Sequence, residues 1–129
     1  MKLRIMGNSL RLRVSRSELH RLMSRNRVEE TIRFAPEPGA TLTYVLESAA
    51  GIPTAIAHYS RQRITVVINQ DDLRTWNEAA QVGIYASLDI GSGERLELIV
   101  EKDFACLDRN DEQNEDAFAN PHARCELVK

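Results

Sequence analysis

Apolar and polar residues alternate along most of this chain, and the phase of that alternation divides it into elements. Leu3 and Ile5 alternate with Lys2 and Arg4, and Leu10, Leu12 and Val14 alternate with Ser9, Arg11 and Arg13. A period of two is the mark of a strand with one apolar and one solvated face. Gly7-Asn8 lies between the two runs, and both residue types tolerate positive φ, so a tight hairpin is expected there. Ser15 with Glu18 three residues later forms a capping box, in which each side chain satisfies an orphan amide of a helix start. Leu19, Leu22 and Met23 follow at helical spacing, which predicts a helix over about 16–25. Val28 to Phe34 and Thr41 to Glu47 alternate again around the breakers Pro36, Pro38 and Gly39, giving a second hairpin.

The same order returns after a shift of 54 residues. Leu10, Leu12 and Val14 then fall on Ile64, Val66 and Ile68, Leu22 on Trp76, Val28 on Val82, and Ile32 and Phe34 on Ala86 and Leu88. Leu42, Tyr44 and Leu46 fall on Leu96, Leu98 and Val100, and Asn69 takes the capping place of Ser15. Five of the 48 aligned pairs are identical, so the match lies in pattern more than in residue identity. The expected fold is α+β: two pseudo-equivalent ββαββ repeats, residues 1–48 and 55–102, in a mainly antiparallel eight-stranded sheet or barrel with two short helices. Leu3, Ile5, Leu10, Leu12, Val14, Ile32, Phe34, Leu42, Tyr44 and Leu46 should face the helices. Residues 1–103 form one domain in this reading, and 104–129 an irregular acidic tail pinned by its isolated apolar residues, Phe104, Leu107, Phe118, Leu127 and Val128.

A length of 129 residues with 43% apolar and 28% charged residues supports an ordinary globular core without staples. No apolar run exceeds four residues, so nothing in the sequence spans a membrane as a helix. Two cysteines and a charged, alternating N-terminus point to a cytoplasmic protein. The net charge of -2 conceals a gradient: residues 1–35 carry +6, residues 36–100 carry -4, and residues 101–129 carry -4. With a pI near 5.9 and seven aromatic residues, the chain lacks the bulk basic footprint of a nucleic-acid binder.

Lys2 to Arg13, K-L-R-I-M-G-N-S-L-R-L-R, and Val100 to Arg109, V-E-K-D-F-A-C-L-D-R, with Asp116, Phe118, Asn120-Pro121 and Cys125 beyond, resemble a family of small uncharacterised bacterial proteins. The resemblance spans nearly the whole chain and implies no particular activity. The stretch G-N-S-L-R-L-R-V-S-R-S-E-L is similar, over some 13 residues, to the start of antitoxin-like swapped-hairpin transcription factors.

Two groups of residues carry candidate chemistry. Lys2, Arg4, Arg11, Arg13 and Arg33 would share one strand face, and guanidinium forks suit phosphate and carboxylate oxygens. A closed barrel would turn that face into a lumen. Such an architecture resembles the triphosphate-tunnel phosphohydrolases, which implies a phosphoanion bound beside a magnesium ion on Glu47, Glu97 and Glu101. The E-x-E-x-K signature of that family's first strand is replaced here by Lys2-Leu3-Arg4. The second group, Cys106, His122 and Cys125 with Asp108 and Asp111, holds zinc-ligand residue types in none of the usual structural-zinc spacings, and a thiol pair or a disulfide fits it equally. Phosphate-loop, nucleophile-elbow, zinc-helix and dinucleotide motifs are absent from the sequence, so no catalytic residue is assigned and no cofactor is expected beyond that magnesium. The sequence therefore describes a small binding or interaction protein with a basic strand face, whose partner is another protein or a phosphate-containing small molecule. The alternative is a phosphoanion-binding tunnel protein.

Overall fold

The computed structural model describes residues 1–78, 81–104 and 116–118. Its elements run β1 (Lys2–Met6), β2 (Ser9–Val14), α1 (Arg16–Arg25), β3 (Arg27–Arg33), β4 (Thr41–Ala49), β5 (Ala55–Ser60), β6 (Arg63–Asn69), α2 (Gln70–Asn77), β7 (Gly83–Gly91) and β8 (Glu94–Lys102). The described residues are mostly β, with two short helices. Among the described residues no helix is long and apolar enough to cross a membrane.

Local signals set the helix boundaries. The Ser15 hydroxyl accepts from the Glu18 amide, and the Glu18 carboxylate accepts from the Ser15 amide at 2.9 Å, completing the box. Helix α1 stops where Asn26 enters the left-handed region at φ 61°, a conformation asparagine tolerates better than most residues. Asn69 caps α2 by accepting from the amides of Asp71 at 2.8 Å and Asp72 at 3.3 Å.

The strands form two four-stranded mixed sheets and no closed barrel. Sheet A has the order β1-β2-β8-β7 and sheet B the order β3-β4-β6-β5. This corrects the expectation of one eight-stranded sheet or barrel. Each helix carries the chain from one sheet to the other, so each ββαββ stretch gives one hairpin to each sheet. The hairpins are antiparallel, but the inner contacts, β2 with β8 and β4 with β6, are parallel. Strands β5 and β7 lie side by side without a hydrogen-bonded ladder, which is why the sheets do not close there.

The registers are related by the 54-residue shift except in one strand. Ser9 faces Glu97 in sheet A and Arg63 faces Thr43 in sheet B, positions that differ by that shift with the partners exchanged. Strand β7 breaks the correspondence by two residues: Val28 faces Leu46, whereas Ile84 rather than Val82 faces Val100. The chain between α2 and β7 is longer than that between α1 and β3, and the β7–β8 turn is shorter than the β3–β4 connection.

One apolar core unites the layers. It holds Leu12, Val14, Ile84, Leu98 and Val100 from sheet A, Val28, Leu46, Ala55, Val66 and Ile68 from sheet B, and Leu19, Leu22, Leu73 and Trp76 from the helices. Trp76 is fully buried, and its indole N–H donates to the Val82 carbonyl at 3.0 Å. Ile5, Ile32 and Phe34, expected beneath the helices, are instead 61%, 47% and 67% exposed. Helices of ten and eight residues span only about 15 and 12 Å and leave these outer strand ends uncovered.

Two segments distant in sequence are tied to α1. The Met1 ammonium, with its side chain fully buried, pairs with the Glu18 carboxylate and lies 3.7 Å from Glu30 on β3. Farther along, Arg16 donates its amide to the Asp116 carbonyl at 3.0 Å, and Asp116 accepts from both the amide and hydroxyl of Ser17. Phe118 then donates its amide to Asp103 at 2.7 Å and packs edge-on to Phe104 with ring centroids 6.1 Å apart.

Candidate anion-binding face

The β1–β2 hairpin presents the basic residues because its turn fixes the register. Gly7 sits at φ +55°, a region glycine enters without steric cost. Asn8 stitches the turn to the neighbouring strand: its side-chain amide donates to Arg95 at 2.7 Å and its carbonyl accepts from Glu97 at 3.1 Å. Leu10, Leu12 and Val14 face inward, so Ser9, Arg11 and Arg13 stand on the outer face of sheet A with the residues opposite them. Three rows result, in the order β1, β2, β8, β7. They are Lys2, Arg13, Glu101, Gly83; then Arg4, Arg11, Ile99, Tyr85; then Met6, Ser9, Glu97, Ser87.

The face is thus divided into a basic stripe on β1–β2 and a hydroxyl-bearing stripe on β8–β7 in which Glu97, Glu101 and Asp89 outnumber Arg95. Glu101 sits at the boundary, with one oxygen 3.4 Å from Arg11 Nε and 3.5 Å from Arg13 Nε, and the other accepting from Tyr85 at 3.4 Å. Lys2 Nζ lies 2.9 Å from Asp103. Ser87 donates to Glu97 at 2.5 Å and accepts from Arg95 at 2.7 Å. Among the described residues no carboxylate lies within ion-pair distance of Arg4. Lys2 and Arg4 stand directly opposite Arg13 and Arg11; Asp103 and Glu101 offset the charge of Lys2, Arg11 and Arg13, and Arg4 is left facing a like charge.

Lys2, Arg4, Arg11 and Arg13 are therefore brought together, and Arg33 is not. It lies on β3 opposite Thr41, in sheet B, because the chain changes sheets at α1. The outer face of sheet B has its own network, in which Arg27 pairs with Glu29 at 2.6 Å and with Glu47 at 2.5 Å. The hydrogen bond from Arg27 holds the Glu29 carboxyl below its ordinary range, and Glu29 in turn raises the Arg27 guanidinium. The proposed magnesium set is likewise divided: Glu47 is in sheet B, while Glu97 and Glu101 are four positions apart on β8. Among the described residues no three metal-ligating side chains gather. The charged faces point away from the apolar core, so the expected lumen is replaced by an outer wall. Cys106, Asp108, Asp111, His122 and Cys125 lie outside the described residues, as do Leu107, Leu127 and Val128 of the tail. His20 on α1 and His58 on β5 are exposed and, among the described residues, belong to no metal-ligating cluster.

Sequence reasoning missed the Met1–Glu18 pair and the Asp116–Ser17 contact. Glu18 was visible as a helix cap, but its second oxygen is committed to a group 17 residues away. Asp116 acts as an acidic group at a helix N-terminus from 99 residues away, and local patterns contain no such information. Its carboxyl is held below the ordinary range chiefly by the Ser17 hydroxyl.

Comparison with curated proteins and with solved structures returned no match. The family comparison matched residues 1–122, nearly the whole sequence. The chain belongs to DUF7009, a family of unknown function.

Proposed function

We propose that this protein is a small binding module that takes an anionic partner on the basic stripe of sheet A, through Lys2, Arg4, Arg11 and Arg13. The observation that carries the reading is Arg4, which stands opposite Arg11 and has no carboxylate partner among the described residues, whereas Asp103 pairs with Lys2 and Glu101 with Arg11 and Arg13. Opposed cations on neighbouring strands repel, and an oxyanion held between their forks relieves that repulsion while gaining charge-assisted hydrogen bonds. Arg11 and Arg13 have side chains only 31% and 26% exposed, so an anion there meets partly desolvated cations. The shared registers of the two sheets support a further reading, that the ββαββ units arose by duplication within one domain. Under it, the basic stripe belongs to the first unit alone, since Ile56, His58, Thr65 and Val67 occupy the matching positions in sheet B.

A thermal-shift titration with tripolyphosphate at several salt concentrations tests the proposal. Saturation at 100 times the dissociation constant adds about 2.7 kcal/mol of stability, and added salt weakens the shift by screening. The combined Arg4→Ala, Arg11→Ala variant is expected to lose it. Absence of a shift in the unaltered protein at low salt refutes a free phosphoanion as the occupant of the stripe.

A further inference from the structure

We infer that the anionic surface met by the basic stripe is the acidic stripe of a second copy of this chain, so that the outer face of sheet A is a two-fold interface. The inference rests on the reading of the stripe as a docking surface for anionic groups and names the partner. The same face carries its own complement: Arg4, Arg11 and Arg13 occupy β1 and β2, and Glu97 and Glu101 occupy the adjoining β8. Two copies can be laid face to face by a two-fold axis in the plane of the interface, running either along the strands or across them. An axis across the strands sets basic stripe on basic stripe. An axis along the strands, between β2 and β8, sets each basic stripe over the partner's acidic one, and charge selects this arrangement.

The centre of the face supports the choice. In its middle row Arg4 and Arg11 flank a half-buried Ile99 and a 57% exposed Tyr85. The axis along the strands brings Arg4 of each copy over the aromatic ring of Tyr85 in the other, a cation–π pairing, and places the two Ile99 positions near the axis. Met6, 57% exposed, ends the neighbouring row. Arginine, tyrosine and methionine are the residue types enriched where protein surfaces meet. Four strands about 4.8 Å apart and six residues at about 3.3 Å each make a patch of roughly 20 by 20 Å. That is about 800 Å² over both copies, in the range of weak, transient interfaces, so the dimer is expected to be reversible, with a dissociation constant weaker than about 10 micromolar.

Sedimentation of the full chain, from micromolar to millimolar concentration at low and high salt, tests the inference. A reversible dimer weakened at least fivefold by high salt is expected. Arg13→Glu and Glu101→Lys, each alone, should weaken it about tenfold or more, because this axis lays Arg13 of each copy over Glu101 of the other and either reversal sets like charges against each other twice. An equimolar mixture of the two variants should restore a mixed dimer, since both stripes then regain opposite charges. A chain monomeric up to millimolar concentration overturns the inference, as does a dimer indifferent to both reversals. Tripolyphosphate separates this result from the broader reading. A monomer whose melting temperature still rises with tripolyphosphate, but not after Arg4→Ala and Arg11→Ala, leaves the anion-binding stripe standing and removes the second copy. A dimer that passes the charge-swap test with no tripolyphosphate effect upholds the second copy and removes the free anion.

Discussion

Truncation of Trp76 tests how the two sheets and α2 are held together. The side chain is fully buried in the common core, and its indole N–H donates to the Val82 carbonyl at 3.0 Å. That carbonyl also accepts the Lys102 amide at 3.0 Å, so both of its lone pairs are used just before β7 begins. Trp76→Phe keeps most of the apolar volume and removes the N–H, while the Lys102 bond still satisfies the carbonyl. The cost should then be one net hydrogen bond and a modest packing defect, about 1–2 kcal/mol. Trp76→Ala also removes the ring and leaves a void between layers, with an expected cost of about 3–5 kcal/mol. Urea unfolding followed by far-ultraviolet circular dichroism measures both. Intrinsic fluorescence is unsuitable because the chain contains a single tryptophan. The corresponding loss in melting temperature is roughly 3–5 °C per kcal/mol for a chain of this size. If Trp76→Ala costs less than about 1 kcal/mol, or Trp76→Phe costs as much as Trp76→Ala, the indole is not the clasp described above.

Three further substitutions follow from separate features. Glu18→Ala removes both the capping bond to Ser15 and the ion-pair partner of the Met1 ammonium, with an expected cost of about 2 kcal/mol; Glu18→Gln, which keeps the capping acceptor, should cost visibly less in the same urea assay. At Gly83 an added Cβ would meet the Val100 carbonyl oxygen at 2.7 Å, so Gly83→Ala should lose about 1–3 kcal/mol despite the better strand propensity of alanine. The Asp116 carboxyl is held below its ordinary range in the folded protein, first by the Ser17 hydroxyl. Its contribution is therefore complete above the unfolded value near pH 4 and is lost as pH falls through the lower folded value. Unfolding midpoints for the parent and Asp116→Asn should differ by a constant amount above about pH 5 and converge toward pH 2; a difference that grows on acidification would contradict the assigned contact.

What the sequence revealed, and what it concealed, follows from the range of each signal. Ser15, Glu18 and Asn69 mark helix starts through bonds spanning two or three residues, and the helix expected over 16–25 is found at Arg16–Arg25. Gly7-Asn8 marked a turn for the same reason. Alternation correctly placed Leu12, Val14 and Leu46 inside, but it has a blind spot. A slip of one residue exchanges the faces of a strand, whereas a slip of two leaves the pattern unchanged. That is why alternation is silent on β7, where Ile84, not Val82, faces Val100. Nor does alternation say which sheet a strand joins, so Arg33 looked like a neighbour of Arg11 although α1 carries it into the other sheet. The basic stripe itself was legible, because β1 and β2 are joined by a two-residue turn and their pairing is local.

The parallel contact between β2 and β8 also constrains the order of assembly. Ser9 and Glu97 meet although 88 positions separate them, whereas Leu46 and Val66 meet across 20. Closing the longer loop costs about 1.3 kcal/mol more in chain entropy. All of sheet B is encoded between Arg27 and Asn69, so its strands are complete while the ribosome is still supplying the last hairpin. The first hairpin must wait with the inner edge of β2 unpaired until Glu94–Lys102 emerges. A nascent chain of this topology matures from the middle outward, and its oldest segment is among the last to find its neighbours.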